Sequence, residues 1–138
     1  MTRATAGIQP AIHMIDIEAE ALSNLAIQVE DRHPQVSELL LAEIGRATLH
    51  KADGIPDDVV TMGATVRFVD TASGRDRTCR LTYPHEADIA EGMISILTPI
   101  GAGLIGLKAG QSILWPDRQG EERELRIIEV RRSSAGQN

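Results

Sequence analysis

Gly101-Ala102-Gly103-Leu104-Ile105-Gly106 is the stretch on which the fold turns. It has the spacing G-x-G-x-x-G and follows an apolar run, Met93-Ile94-Ser95-Ile96-Leu97, that reads as a short buried strand. In a dinucleotide-binding unit such glycines open a full helix that leads to a parallel strand. Here only Leu107, Lys108 and Ala109 separate Gly106 from Gly110, and the strand pattern Gln111-Ser112-Ile113-Leu114-Trp115 follows at once. A parallel crossover takes about a dozen residues or more, so this segment cannot make one. The glycines are instead positions where a short helix lies close against a sheet.

Working outward, residues 65–69 alternate, Thr71-Ala72-Ser73-Gly74 reads as a turn, and residues 77–83 alternate again with Cys79, Leu81 and Tyr83 on one side. Pro84 ends that strand, and a polar loop runs over residues 85–92. Residues 124–130 form the last strand, after a turn at residues 116–120. Upstream the period changes. Ala19, Leu22, Leu25, Ala26 and Val29 share one helical face, with Asp16 as N-cap and Glu18 and Glu20 in the first turn. Pro34 opens a second helix carrying Val36, Leu39, Leu40, Ile44 and Ala47, which Asp53-Gly54-Ile55-Pro56 stops. The break Asp31-Arg32-His33 is short enough to make the helices antiparallel neighbours. The expected fold class is α+β: a short antiparallel helical hairpin over residues 1–55, a small antiparallel sheet with one short helix over 56–132, and a frayed tail over 133–138.

Composition removes several functions. The 138 residues carry 14 basic and 20 acidic side chains, a net charge of −6, which opposes independent binding to DNA or RNA. Phe68, Tyr83 and Trp115 are the only aromatics, too few for base-stacking platforms or aromatic cages. There is no apolar run long enough to span a membrane and no signal-peptide core at residues 1–7. The single cysteine, Cys79, forms no internal disulfide and fits the cytoplasm.

No pair among His13, His33, His50 and His85 has metal-ligand spacing, Cys79 has no C-x-x-C partner, and no G-x-S-x-G marks a nucleophile. No cofactor and no small-molecule substrate is expected. Glu30 and Asp31, adjacent at the hairpin bend, are read as a solvated helix end, with weak metal binding as the alternative.

Residues 94–106, Ile94-Ser95-Ile96-Leu97-Thr98-Pro99-Ile100 and the glycine stretch, resemble the C-terminal signature of the bacterial Gre transcript-cleavage factors. There a strand ends in S-P-I, a short helix carries G-L-I-G, and a G-D or G-Q step, here Gly110-Gln111, enters the next strand. The short helices and the linker Pro56-Asp57-Asp58-Val59-Val60-Thr61-Met62 resemble the family's branch of regulators of nucleoside diphosphate kinase. The resemblance implies an FKBP-like sheet domain that docks on the rim of the secondary channel of RNA polymerase through Thr98, Pro99, Ile100 and Leu104. Gre proteins commonly read P-I-A-R-G, whereas Pro99-Ile100-Gly101-Ala102-Gly103 lacks the arginine. Their much longer hairpin carries D-x-x-E to the polymerase active centre. The tip here reads Glu30-Asp31-Arg32-His33, on helices of about 22 Å.

The leading expectation is therefore a polymerase-binding regulator without catalysis that competes with Gre-type factors. DNA or RNA would be touched only within the polymerase complex. The alternatives are an effect on nucleoside diphosphate kinase or its expression, a true Gre-type elongation factor, and a peptidyl-prolyl isomerase.

Overall fold

The computed structural model describes residues 10–116 and 119–132. The tail expected over residues 133–138 lies outside them. The elements run β1 (His13–Ile15), α1 (Asp16–Gln28), α2 (Pro34–Arg46), β2 (Thr48–His50), β3 (Thr65–Asp70), β4 (Arg75–Thr82), β5 (Met93–Ser95), α3 (Pro99–Leu104), β6 (Ser112–Pro116) and β7 (Glu122–Arg131). Two turns of 3-10 helix, Pro84–Glu86 and Ile89–Glu91, occupy the loop before β5.

The five-stranded sheet has the order β5-β4-β3-β7-β6. Three of its pairings are antiparallel, but β5 runs parallel to β4, with Arg80 opposite Met93 and Thr82 opposite Ser95. This corrects the expectation of a purely antiparallel sheet. Residues 83–92 loop back so that β5 runs alongside the last three residues of β4 in the same direction. On the other side of β4, β3 pairs Phe68 with Ile127 and Arg67 with Glu129 on β7. That leaves Ile128 unopposed, a bulge that bends the long strand.

A second, two-stranded sheet was not foreseen. β1 and β2 pair in parallel, with His13 opposite Thr48 and Ile15 opposite His50. Strands of three residues show no readable period, and their partners lie on either side of the helices. Because β1 runs straight into α1, Ile15 occupies the N-cap position without a side-chain cap, and Asp16 is the first helical residue, its Oδ1 accepting from the Ile17 amide at 2.7 Å. The expected Asp16 cap is therefore displaced by one residue. Likewise α2 ends at Arg46, where β2 takes over.

The helices α1 and α2 pack on one another, and the buried Ser37 hydroxyl donates to the Ala26 carbonyl at 2.8 Å. Leu22, Ala26 and Leu40 lie in the same buried cluster as Val66, Phe68, Leu81, Leu104 and Ile127, so helices and sheet share one core. Sealing that many apolar side chains from water is the main stabilising term for a chain of this size. At the last turn of α2, Arg46 grips Glu43 with Nε and Nη2 (3.0 and 2.7 Å) and donates Nη1 to the Pro10 carbonyl, tying the chain before β1 to the helix.

Candidate functional site

The short helix α3 is built by its own sequence. Thr98 is its N-cap: Oγ1 accepts from the Gly101 amide at 3.0 Å and donates to the Ser95 carbonyl at 2.8 Å. Pro99 takes the first helical position, where its missing N–H leaves nothing unsatisfied. The glycines act by size. A Cβ on Gly101 would collide with the Ser95 carbonyl, and one on Gly103 would stand 2.9 Å from the indole of Trp115. Trp115 in turn donates its Nε1–H to the Pro99 carbonyl. The helix is thus pinned at both faces, by β5 and by β6.

These contacts sort the four expected docking residues. Thr98 and Ile100 are partly exposed, Pro99 is largely buried and borders two clefts, and Leu104 is fully buried in the core. Leu104 therefore anchors α3 and presents nothing to a partner. Thr98, Pro99 and Ile100 line a groove of about 400 Å³ together with Arg77, Ala87, Ile89 and Ile94. Ile89 is 82% exposed, the most exposed of the large apolar side chains among the described residues. Arg77 lies 5.8 Å from the centre of the Phe68 ring, a cation–π arrangement. Ile89 escaped the sequence reading. The available signal was one isoleucine in an otherwise polar loop, Ala87-Asp88-Ile89-Ala90-Glu91.

The tip of the helical pair sits nearby. His33, Pro34, Gln35 and Val36 share a cleft of about 290 Å³ with Leu97 and Pro99. Glu30 and Asp31 are exposed, and among the described residues no group of three or more His, Cys, Asp or Glu is placed to hold a metal. Cys79 is buried, and desolvation pushes its thiol up to about 11, so it is neutral and unreactive at ordinary pH.

The strand arginines are largely engaged. Arg67 forms a two-pronged bond to Asp76, with Nη2–Oδ2 at 2.8 Å, and that hydrogen-bonded guanidinium lowers the carboxyl below the usual range. Arg80 donates to the Gly63 carbonyl at 3.2 Å, and Arg132 donates to the Ile55 and Pro56 carbonyls at 3.2 and 3.1 Å, fastening the linker to the end of β7. These three arginines are committed to the fold.

The chain thus carries a capped six-residue helix wedged between a parallel edge strand and an indole, after a short helical pair. Residues 55–132 match the family model described as transcription elongation factor, GreA/GreB, C-terminal. The chain belongs to that family. It is 32% identical over 122 residues to the regulator of nucleoside diphosphate kinase of Escherichia coli, covering 88% of this chain and 90% of that protein. It is 42% identical over 74 residues to transcription elongation factor GreA of Alkalilimnicola ehrlichii, covering 54% of this chain and 46% of that one. A solved structure described as prokaryotic transcription elongation factor GreA/GreB from Nitrosomonas europaea superposes with a TM-score of 0.69 at 36% identity, over 89% of this chain and 99% of the other. The mixed fold, with its largely antiparallel sheet and three α-helices among the described residues, is the GreA/GreB-like one, and the named bacterial relatives are transcription elongation factors and a regulator of nucleoside diphosphate kinase.

Proposed function

We propose that this protein docks on RNA polymerase at the rim of the secondary channel and excludes Gre-type factors without causing transcript cleavage. The observation that carries the reading is the apolar groove beside Thr98, Pro99 and Ile100, which the exposed Ile89 and Arg77 also line. It lies on the family's own segment, in what we read as an FKBP-like domain over residues 56–132. The arm formed by residues 1–55 supports the non-catalytic half of the reading. Each helix has 13 residues, about 20 Å, and the tip offers Glu30 and Asp31 in place of D-x-x-E. Any DNA or RNA contact would arise inside the polymerase complex, in the cytoplasm.

The experiment adds this protein to stalled elongation complexes with a fixed amount of an authentic Gre factor. Cleavage falls as the protein is added, and none occurs with this protein alone. Ile89→Asp, at a position too exposed to matter for stability, weakens the competition at least tenfold. Unchanged cleavage at saturating protein refutes the docking reading.

The similarity to the regulator of nucleoside diphosphate kinase over most of the chain favours one second reading, an effect on that kinase or its expression. Recovery of the kinase without polymerase subunits in a pull-down would establish it. An isomerase reading has little support, because no aromatic side chain lines the groove among the described residues.

A further inference from the structure

Two histidines 37 residues apart in the chain meet across the small β1–β2 ladder. His13 Nδ1 and His50 Nε2 are 2.9 Å apart, with ring centroids at 5.0 Å and planes tilted by 47°. At that distance one nitrogen carries a proton and the other accepts it. The bond therefore survives one added proton, as imidazolium on imidazole, and not two.

The surroundings oppose the second charge. Lys108, on the segment after α3, faces His13; with burial first and His50 second, it depresses the pKa of that ring below the ordinary histidine value. The other charged groups on the two helices are Asp16, Glu18 and Glu20 on α1 and Glu38, Glu43 and Arg46 on α2. Asp16 pairs with Lys51 at 3.2 Å, Glu43 pairs with Arg46 at 2.7 Å, and Glu18 accepts from the Met62 amide. A metal ion bridging the two rings would meet the same Lys108 charge, and no third ligand stands beside them among the described residues.

The ladder is placed where its opening matters. β1 precedes α1 and β2 follows α2, so their pairing ties together the two ends of the helical pair. Thr48 donates its amide to the Ile12 carbonyl at 2.9 Å, and His13 donates its own to the Gly106 carbonyl at 3.1 Å. Gly106, at φ +87°, leaves only 3.0 Å between a Cβ position and the Ile12 side chain, so β1 is seated directly on the end of α3.

We propose that the His13–His50 pair is a proton-operated latch, which fastens the ends of the helical pair to each other and to the sheet and opens when both rings are charged. An unfolded histidine titrates near 6.5. Because His13 titrates lower when folded, the opened ladder binds more protons than the closed one below that pH. The latch is therefore closed above about 6.5 and weakens as pH falls toward the folded value.

The test measures hydrogen-exchange protection on the full chain near pH 7.5 and about pH 5, corrected for intrinsic rates. Protection of the Thr48 and His13 amides falls severalfold on acidification, while the amides of Leu22 and Phe68 hold. In His50→Gln, whose amide can accept from His13 but takes no proton, the fall disappears. Ring titration of the unmutated protein by NMR gives an independent reading: a His13 midpoint below the ordinary histidine value. A fall that persists unchanged in His50→Gln, no fall at all, or a His13 midpoint at or above the ordinary value overturns the latch. Stabilisation of the ladder by equimolar zinc, lost in His50→Gln, also overturns it and makes the pair a metal site.

Discussion

Replacing Gly101 with alanine separates two effects that pull in opposite directions. Alanine favours a helix over glycine by about 1 kcal/mol. At Gly101, however, the added Cβ would overlap the Ser95 carbonyl oxygen and lie 3.0 Å from Ile96 Cα and 3.1 Å from Ser95 C. These are backbone atoms of β5 and its continuation, and they cannot turn aside as a side chain would. The same carbonyl accepts from the Thr98 hydroxyl at 2.8 Å and the Thr98 amide at 3.2 Å, so moving it loosens the cap of α3 as well. Overpacking costs about 2 kcal/mol and a lost hydrogen bond about 1, against about 1 gained in propensity, for a net loss of about 2 kcal/mol. Gly45, inside α2 with nothing within 4 Å of its Cβ position, is the matched control, and Gly45→Ala stabilises by up to about 1 kcal/mol. Urea unfolding followed through the single tryptophan reads both. At a slope of about 1.5 kcal/mol per molar, the midpoints move apart by roughly 2 M. If Gly101→Ala moves in the same direction as Gly45→Ala, close packing is not why glycine stands in α3.

Arg46→Ala leaves Glu43, only 4% exposed, without its cation and frees the Pro10 carbonyl; a loss of about 2–3 kcal/mol is expected in the same unfolding assay. Glu18 is partly buried, and desolvation raises its carboxyl pKa although its Oε1 accepts from the Met62 amide at 3.1 Å. A raised carboxyl destabilises as pH rises through its folded value, so Glu18→Gln, which keeps the acceptor and removes the charge, increases stability at pH 7 and narrows the gain in acid. Cys79 resists alkylation in the native protein at about pH 8 and reacts on unfolding. Because the unfolded thiol ionises near 9 and the folded one near 11, its linkage lowers stability as pH rises between those values, by up to about 1.4 kcal/mol per unit, and Cys79→Ala flattens that slope.

The amino-acid order by itself determined the parts governed by local rules. Apolar spacing placed α1 and α2, Pro34 opened α2, and the three residues between Gly106 and Gly110 excluded a parallel crossover after α3, whereas α2 stops at Arg46, short of the Gly54-Ile55-Pro56 break. The resemblance to Gre factors likewise rested on a contiguous stretch, residues 94–106, and the family match confirmed it. What joins distant residues was decided only by the tertiary structure. The β1–β2 ladder unites segments separated by two whole helices, so the meeting of His13 with His50 has no local signature. β5 is three residues long, too short for its period to reveal that it pairs in parallel. Leu104 and Ile100 look alike in sequence, yet α3 turns the first fully into the core and leaves the second at the groove. Ile89 joins that groove because the loop before β5 folds over it. Hydrophobic periodicity records which face of one element is buried. It does not record which other element buries it, and the groove and the histidine pair are both properties of that second choice.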